Sequence, residues 1–550
     1  MQIMNTQIKS LSLAVCLLLA STTYAQLTIS TGAVFNIQSG AFVTVQGDVT
    51  SNADITGAGN LILKGSVNQN ISMNGNIVPN LEMDNATGAT LTSNIKIGTA
   101  IVFTNGKILV GNNTATLSQA TTASGMGVSK FFETNGTGYV RRELAADISN
   151  SIMPVGAGAD YLPVTLTNTG STYASASIGV QAKGTANTNK HPRTESFLLA
   201  NWPINKVGIT SGTTNATGTY IDPTRVIGTE ADLRGIFWNG TNWSLAGGNQ
   251  NTTNNTVSAD IATNSGELFG MNRFVLLDAK VFLQGAFNAG TGLMNDALRT
   301  TSVYIPGNAP TGNLLPSSDP YSTNVQYSAN PNFTRVANTP TETVTATAFN
   351  DQPLAADNIV DWVFLELRNA ATTSNAILQT RSALLQRDGD IVDIDGVSPI
   401  YFKNIDASNY TIAIRHRNHI AMITNPSVFN QNLSLIKNLT QLNFTNQIAP
   451  SNFLGIANTN YFNNGTFNML YAGDANGNKI TRYSGGSNDR AVILTDLINI
   501  ESSTLTGYQK SDLNLNRVVR YSGGSNDRAI ILSNVLSSVE GATKSQAIIP

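Results

Sequence analysis

The sequence predicts a mainly β, multidomain protein, and three observations carry that prediction. Of 550 residues only 12% are Asp, Glu, Lys or Arg, about half the usual share of roughly 25%. Helical bundles present Glu and Lys on their outer faces and need more charge than this. Neutral residues fill the gap: Asn alone is about 12% of the chain, and 47 Gly against 17 Pro favour turns. Finally, short runs alternate apolar and polar residues at period two, as half-buried strands do. The apolar share of 41% is enough for real cores, unlike that of a disordered chain. The length suits about three to five domains. A net charge of −2 excludes nucleic-acid binding by bulk electrostatics, which needs clustered Lys and Arg.

Residues 1–25 read as a signal peptide. Lys9 gives a positive start, Leu11 to Ala20 an apolar run, and Thr23-Tyr24-Ala25 a small-residue cleavage motif. The mature chain then begins at Gln26 and is secreted, extracellular or held at the cell surface. No later run reaches the roughly 18 apolar residues of a membrane-spanning helix, so no transmembrane segment is expected. The one cysteine, Cys16, lies in the apolar run behind Val15, where a lipoprotein would need a small residue. The mature chain therefore lacks disulfides and must rely on cores, sheet ladders or metal ions.

Residues 26–145 predict a β-solenoid-like region. Leu27-Thr-Ile-Ser, Ala33-Val-Phe-Asn-Ile and Phe42-Val-Thr-Val-Gln are followed by Leu61-Ile-Leu, Ile95-Lys-Ile and Lys107-Ile-Leu-Val. Asn74-Gly75 and Asn105-Gly106 supply turns. Many short strands without intervening helices suit a solenoid; ordinary hairpins are the alternative. Residues 146–275 predict a second β domain, with Leu162-Pro-Val-Thr-Leu-Thr and Ala176-Ser-Ile-Gly-Val-Gln as paired strands. Asn239-Gly240 marks a hairpin flanked by Trp238 and Trp243. That pair could stack on a sugar ring, but simple packing explains it more economically.

Residues 276–430 predict a β-sandwich-like domain. Asp361-Trp-Val-Phe-Leu-Glu-Leu-Arg reads as a strand, and Asp388-Gly389 as a hairpin turn. Asp388, Asp390, Asp393 and Asp395 could serve as acid–base groups or a cation site; turn and edge charges explain them as well. His416 and His419 tempt a zinc reading. Residues three apart on a strand face opposite ways, so a metal pair would need a bulge or loop.

Residues 465–545 hold an internal duplication. Asn478-Lys-Ile-Thr-Arg-Tyr-Ser-Gly-Gly-Ser-Asn-Asp-Arg-Ala-Val-Ile-Leu recurs from Asn516 as Asn-Arg-Val-Val-Arg-Tyr-Ser-Gly-Gly-Ser-Asn-Asp-Arg-Ala-Ile-Ile-Leu. Asp489 and Asp527 are expected to cap short helices over 491–500 and 529–539. Asp474, Asn476 and Asn478 stand at alternate positions, as do Asp512, Asn514 and Asn516. Oxygen side chains so spaced wrap one side of a calcium ion, with a backbone carbonyl near position 7, here Ile480 or Val518. The closing acid, Asp489 or Asp527, comes about four residues later than an EF-hand-like loop would place it. Metal-free Asn and Gly turns, bonding their own backbone, are the alternative.

The Asp474-x-Asn476-x-Asn478 and Asp512-x-Asn514-x-Asn516 openings resemble the loops of a dockerin domain. The resemblance implies a small α-helical module ordered by calcium, with a cohesin-like or other surface domain as partner. The late acid and the neutral third ligand depart from the dockerin pattern. A second resemblance covers residues 277–540. Val281-Phe-Leu-Gln-Gly-Ala-Phe, Asn358-Ile-Val-Asp-Trp-Val-Phe-Leu-Glu-Leu-Arg, Leu384-Leu-Gln-Arg-Asp-Gly-Asp-Ile-Val-Asp and Arg415-His-Arg-Asn-His419 look like a family of Bacteroidetes secreted surface proteins. Some members carry a hemagglutinin label, which implies adhesion.

Elbow, zincin and Walker motifs are missing from the sequence. The expected function is therefore non-catalytic: adhesion or extracellular assembly, with glycan as a candidate ligand. Tyr483 and Tyr521 are expected as exposed binding residues beside the loops. The alternative is a polysaccharide hydrolase or lyase on the solenoid, since paired acids need no local motif.

Overall fold

The computed structural model describes residues 25–299, 312–336, 341–345, 347–369, 376–406, 408–424, 427–429, 440–443 and 461–546. The expected signal peptide lies outside them except for Ala25. The chain divides into two compact units that part between Arg273 and Phe274. Among the described residues, no helix is long and apolar enough to cross a membrane.

The first unit opens as a β-solenoid of about six turns. Two parallel ladders define it. In one, Leu27 pairs with Val49, Val49 with Ile71, Gln69 with Ala89 and Ala89 with Ile108. In the other, Leu61 stacks on Leu81 and Leu81 on Ile101, while Leu63 stacks on Met83 and Met83 on Phe103. All six of these side chains are buried. Period-two alternation thus becomes apolar columns running up the coil interior, at the spacing of hydrogen-bonded strands.

The abundance of Asn has a structural cause here. A solenoid's corners expose backbone groups that no strand partner satisfies. Asn80 Nδ2 donates to the carbonyls of Ala58 and Gly59, Asn76 to Ser51 and Asn113 to Leu91, each reaching back to the preceding turn. Asn74 donates to Asn52 at 2.6 Å, and Thr90 to Asn68 at 2.8 Å. Neutral side chains do this without the repulsion that stacked like charges would bring.

The Asn74-Gly75 and Asn105-Gly106 turns are corners rather than hairpins. Gln69–Ser72 and Ile77–Asp84, on either side of the first, belong to different sheets. Both a hairpin turn and a solenoid corner use positive φ, so the dipeptide does not separate them. Gly106 is required on two counts. Its φ is +80°, and a Cβ there would stand 1.8 Å from the Asn85 carbonyl oxygen.

After the last parallel rung, Val140–Leu144 pairs antiparallel with Thr172–Val180, which pairs with Phe197–Thr210. A separate five-stranded sheet contains Val164–Thr169, paired with Ile148–Met153 and Thr213–Thr219. The two strands expected to pair around residues 162–181 therefore sit in different sheets. The Trp hairpin forms as read. Trp238 faces Trp243 across the strands with ring centres 5.2 Å apart, and Trp243 is buried against Phe269.

The second unit is built on a sheet whose central strand, Ile359–Asn369, is buried at every position but the last. It lies between Ile377–Gln386 and Ser408–His416. Trp362 donates its indole N–H to the Pro316 carbonyl at 3.0 Å, and Tyr321 its hydroxyl to the Trp362 carbonyl at 2.8 Å. A helical turn at Pro320–Thr323, capped by Asp319, places Tyr321 against Phe333 and Phe364.

Candidate cation-binding loops

The opening loops of the two repeats form matching hydrogen bonds. In the first, Asp474 Oδ1 accepts from the Asn478 amide at 2.9 Å and Oδ2 from the Lys479 amide at 3.0 Å. In the second, Asp512 Oδ1 accepts from Asn516 at 3.0 Å and Oδ2 from Arg517 at 2.9 Å. Asn476 and Asn478 accept from the amides of Asn478 and Ile480, both at 2.9 Å. Asn514 and Asn516 do the same for Asn516 and Val518, at 3.1 and 2.9 Å. Ile480 and Val518 each open a three-residue strand, Ile480–Arg482 and Val518–Arg520.

The late acids close back over these loops. Asp489 accepts from the Asn476 amide at 3.2 Å and from Arg482 at 2.8 Å. Asp527 accepts from Leu513 and Arg520, each at 2.8 Å. Their role as helix caps is corrected accordingly. The caps are Asn488 and Asn526, whose side chains accept from Ala491 and Ala529. Each aspartate is instead the first helical residue and turns inward. The helices are shorter than expected: Asp489–Asp496 in one repeat, and in the other Asp527–Ala529 running into a π-helical turn, Ile530–Val535.

Each loop thus holds two buried carboxylates bonded to backbone amides, and among the described residues no Lys or Arg forms an ion pair with any of the four, although the charge of Arg417 favours the ionised form of Asp512. Burial pushes Asp474 and Asp512 up to about 6. Burial, then the charge of Asp474, pushes Asp489 up to about 8. Burial and Asp512 drive Asp527 well above the carboxylate range. Such a pair is costly to ionise without a counter-charge. Two carboxylates with neutral amide oxygens form a hard-oxygen set that fits calcium chemically. The charge count is low: among the described residues no group of three or more His, Cys, Asp or Glu gathers as a metal cluster.

Tyr483 and Tyr521 do not have the exposure expected of them; each is 5% exposed. Each ring packs in the core between the repeats, under Arg490 and Arg528 respectively, 4.7 Å from ring centre to guanidinium carbon. An apolar ring gains more from that core than from solvent.

The repeats are also continuous with the sheet. Asn418 Nδ2 donates to the Asp512 carbonyl at 2.8 Å, and Asn295 Nδ2 to the Asn514 carbonyl at 2.9 Å. Ile420 of the sheet shares the core of the repeats. Between them lies a network that sequence reading did not assemble. Asp361, fully buried, accepts from Arg417 Nε at 2.9 Å and Tyr508 Oη at 2.7 Å, and lies 3.1 Å from His416 Nε2. Burial opposes its charge, but Arg417, His416 and Tyr508 hold it at about 2. The spacing of His416 and His419 was legible, but not the two-residue turn that brings them to one side. The four Asp of residues 388–395 do not converge. Lys280 bridges Asp388 and Asp390 at 2.9 and 2.6 Å, Arg381 pairs with Asp393 at 2.8 Å, and Asp395 caps its own turn.

Compared with known proteins, the chain matches no family model, no curated protein and no solved structure.

Proposed function

We propose that this is a secreted, non-catalytic surface protein for adhesion or extracellular assembly, whose C-terminal repeats are ordered by calcium. One observation carries the calcium reading: two loops with matching hydrogen bonds, each holding a buried carboxylate pair that is bonded to backbone amides and, among the described residues, is not in an ion pair. Asp474, Asn476, Asn478 and Asp489 would hold one ion, and Asp512, Asn514, Asn516 and Asp527 the other, with the Ile480 and Val518 carbonyls beside them. The ion supplies the positive charge the pair lacks, so binding couples to folding. In this reading the dockerin-like pair caps a sandwich-like sheet instead of standing apart to dock a cohesin-like domain. The shared core and the bonds to Asn418 and Asn295 favour capping. Tyr483 and Tyr521 then serve that core, and the long solenoid offers the ligand surface.

Beads coated with the whole chain test this on cell- and glycan-coated surfaces. Attachment is expected, and the melting temperature of the chain is expected to fall in chelator but not to respond to chelator in the double variant Asp489→Asn/Asp527→Asn. A melting temperature indifferent to chelator removes the calcium role. No attachment at all removes adhesion, and new reducing ends released from a glycan contradict the non-catalytic reading.

A further inference from the structure

We propose that the outer face of the solenoid sheet binds an acidic polysaccharide laid across the strands over Arg141. This gives the adhesion reading its ligand class, and the calcium loops play no part in the argument.

The strand register draws the track. Lys96 pairs with Thr116, Thr116 with Arg141, Arg141 with Gly179, Gly179 with Asn205 and Asn205 with Ser265. Six strands at roughly 4.8 Å spacing make this row about 24 Å long, enough for several sugar rings. The row faces outward because its neighbours along the strands, among them Ala115, Leu117, Val140 and Ile178, are buried inward. Thr116, Gln119, Arg141, Glu143 and Ser177 line a groove along it. Gly179 adds no side chain to the floor. A Cβ there would stand 3.1 Å from the Arg141 guanidinium carbon.

Charge selects the ligand. Glu143 is paired with Lys96 at 2.8 Å. Arg141, half-buried, bonds only neutral partners: Ser177 Oγ at 3.3 Å and Asn205 Oδ1 at 2.5 Å. Its guanidinium carbon lies 5.4 Å from the Tyr139 ring centre. A guanidinium fixed by packing and left without a carboxylate matches a uronate carboxylate, which it can grip with two N–H donors. The hydroxyls and amides of Thr116, Ser177, Gln119 and Asn205 suit the sugar hydroxyls on either side. A net charge of −2 and a single uncompensated cation do not suit a polyphosphate.

Titration calorimetry of the whole chain with polygalacturonate, alginate and neutral dextran, all in chelator, tests this. The two acidic polymers should bind and dextran should not. Arg141→Gln, and separately Thr116→Trp to block the track, should each weaken binding by about tenfold or more with an unchanged melting temperature. Thr116 faces outward, where a strand accepts an aromatic residue, so this variant keeps the test open if Arg141→Gln disturbs the fold. Failure of both acidic polymers to bind, equal binding of dextran, or variants that bind like the parent would overturn the proposal. Because chelator is present throughout, such a failure leaves the calcium reading to its own titration.

Discussion

The Nδ1 atoms of His416 and His419 lie 3.0 Å apart, across a hairpin whose turn is Arg417 and Asn418 alone. One ring must donate and the other accept, so the contact requires at least one neutral ring. Burial pushes both histidines below their usual range, further still for His419 because it faces His416. The turn between them sends Arg417 onto Asp361 and Asn418 onto the second repeat. The histidines therefore belong to the joint between sheet and repeats.

Removing the carboxylate at the centre of that joint should be severe. Asp361→Asn leaves Arg417, 2% exposed, without its counter-charge, and breaking a buried ion pair costs about 3–5 kcal/mol. Chemical denaturation should show a loss of that size in the second unit's transition. A loss below about 1 kcal/mol would mean that the network relaxes around the change.

The histidines also predict a response to acid. Their folded pKa values lie below the unfolded value of about 6.5, so the unfolded chain takes up protons first. Their contribution is complete above about pH 6.5 and is lost as pH falls below it. Replacing His416 by Gln should flatten the melting temperature between about pH 6.5 and 5, measured against the parent chain.

The loop carboxylates work in the opposite direction. Asp489 titrates near 8 in the folded chain against 3.8 for an ordinary Asp, so without metal the folded state holds a proton that the unfolded state has released. Stability in chelator should fall as pH rises from about 4 through 8. Asp489→Asn should flatten that slope, because the amide is already neutral. Calcium should release protons on binding and bind more tightly at higher pH, which calorimetry in buffers of different ionisation enthalpy would detect.

The helix caps give a smaller, local prediction. Asn488→Ala removes the acceptor for the Ala491 amide, bonded at 2.9 Å. The cost should be about 1 kcal/mol, and the same change at Asn526 should match it. A far larger loss at either position would implicate it in the loop itself.

The solenoid was legible because its signal is local. Period-two runs such as Leu61-Ile-Leu set the inward columns, and Asn- and Gly-rich corners set the turns. Pairing at a distance was not legible. Thr172–Val180 carries nothing that says it joins Val140–Leu144 rather than Val164–Thr169. The repeat announced its own loops, and the side chains of Asp474, Asn476, Asn478 and Asp489 each accept from an amide of the same repeat. The burial of Tyr483 was hidden, because an aromatic residue beside a Gly-rich turn packs inward only when a second repeat supplies the other wall. Asp361 looked like one more strand residue, since its partners lie 55, 56 and 147 positions away.

Calcium titration calorimetry on the whole chain at neutral pH, with the melting temperature recorded before and after chelation, tests the central claim most directly. Two binding events per chain are predicted, with a fall in melting temperature on chelation. Asp474→Asn and Asp512→Asn should each abolish one event. No heat of binding and an unchanged melting curve would contradict the account, leaving the repeats as metal-free turns closed by their own amides.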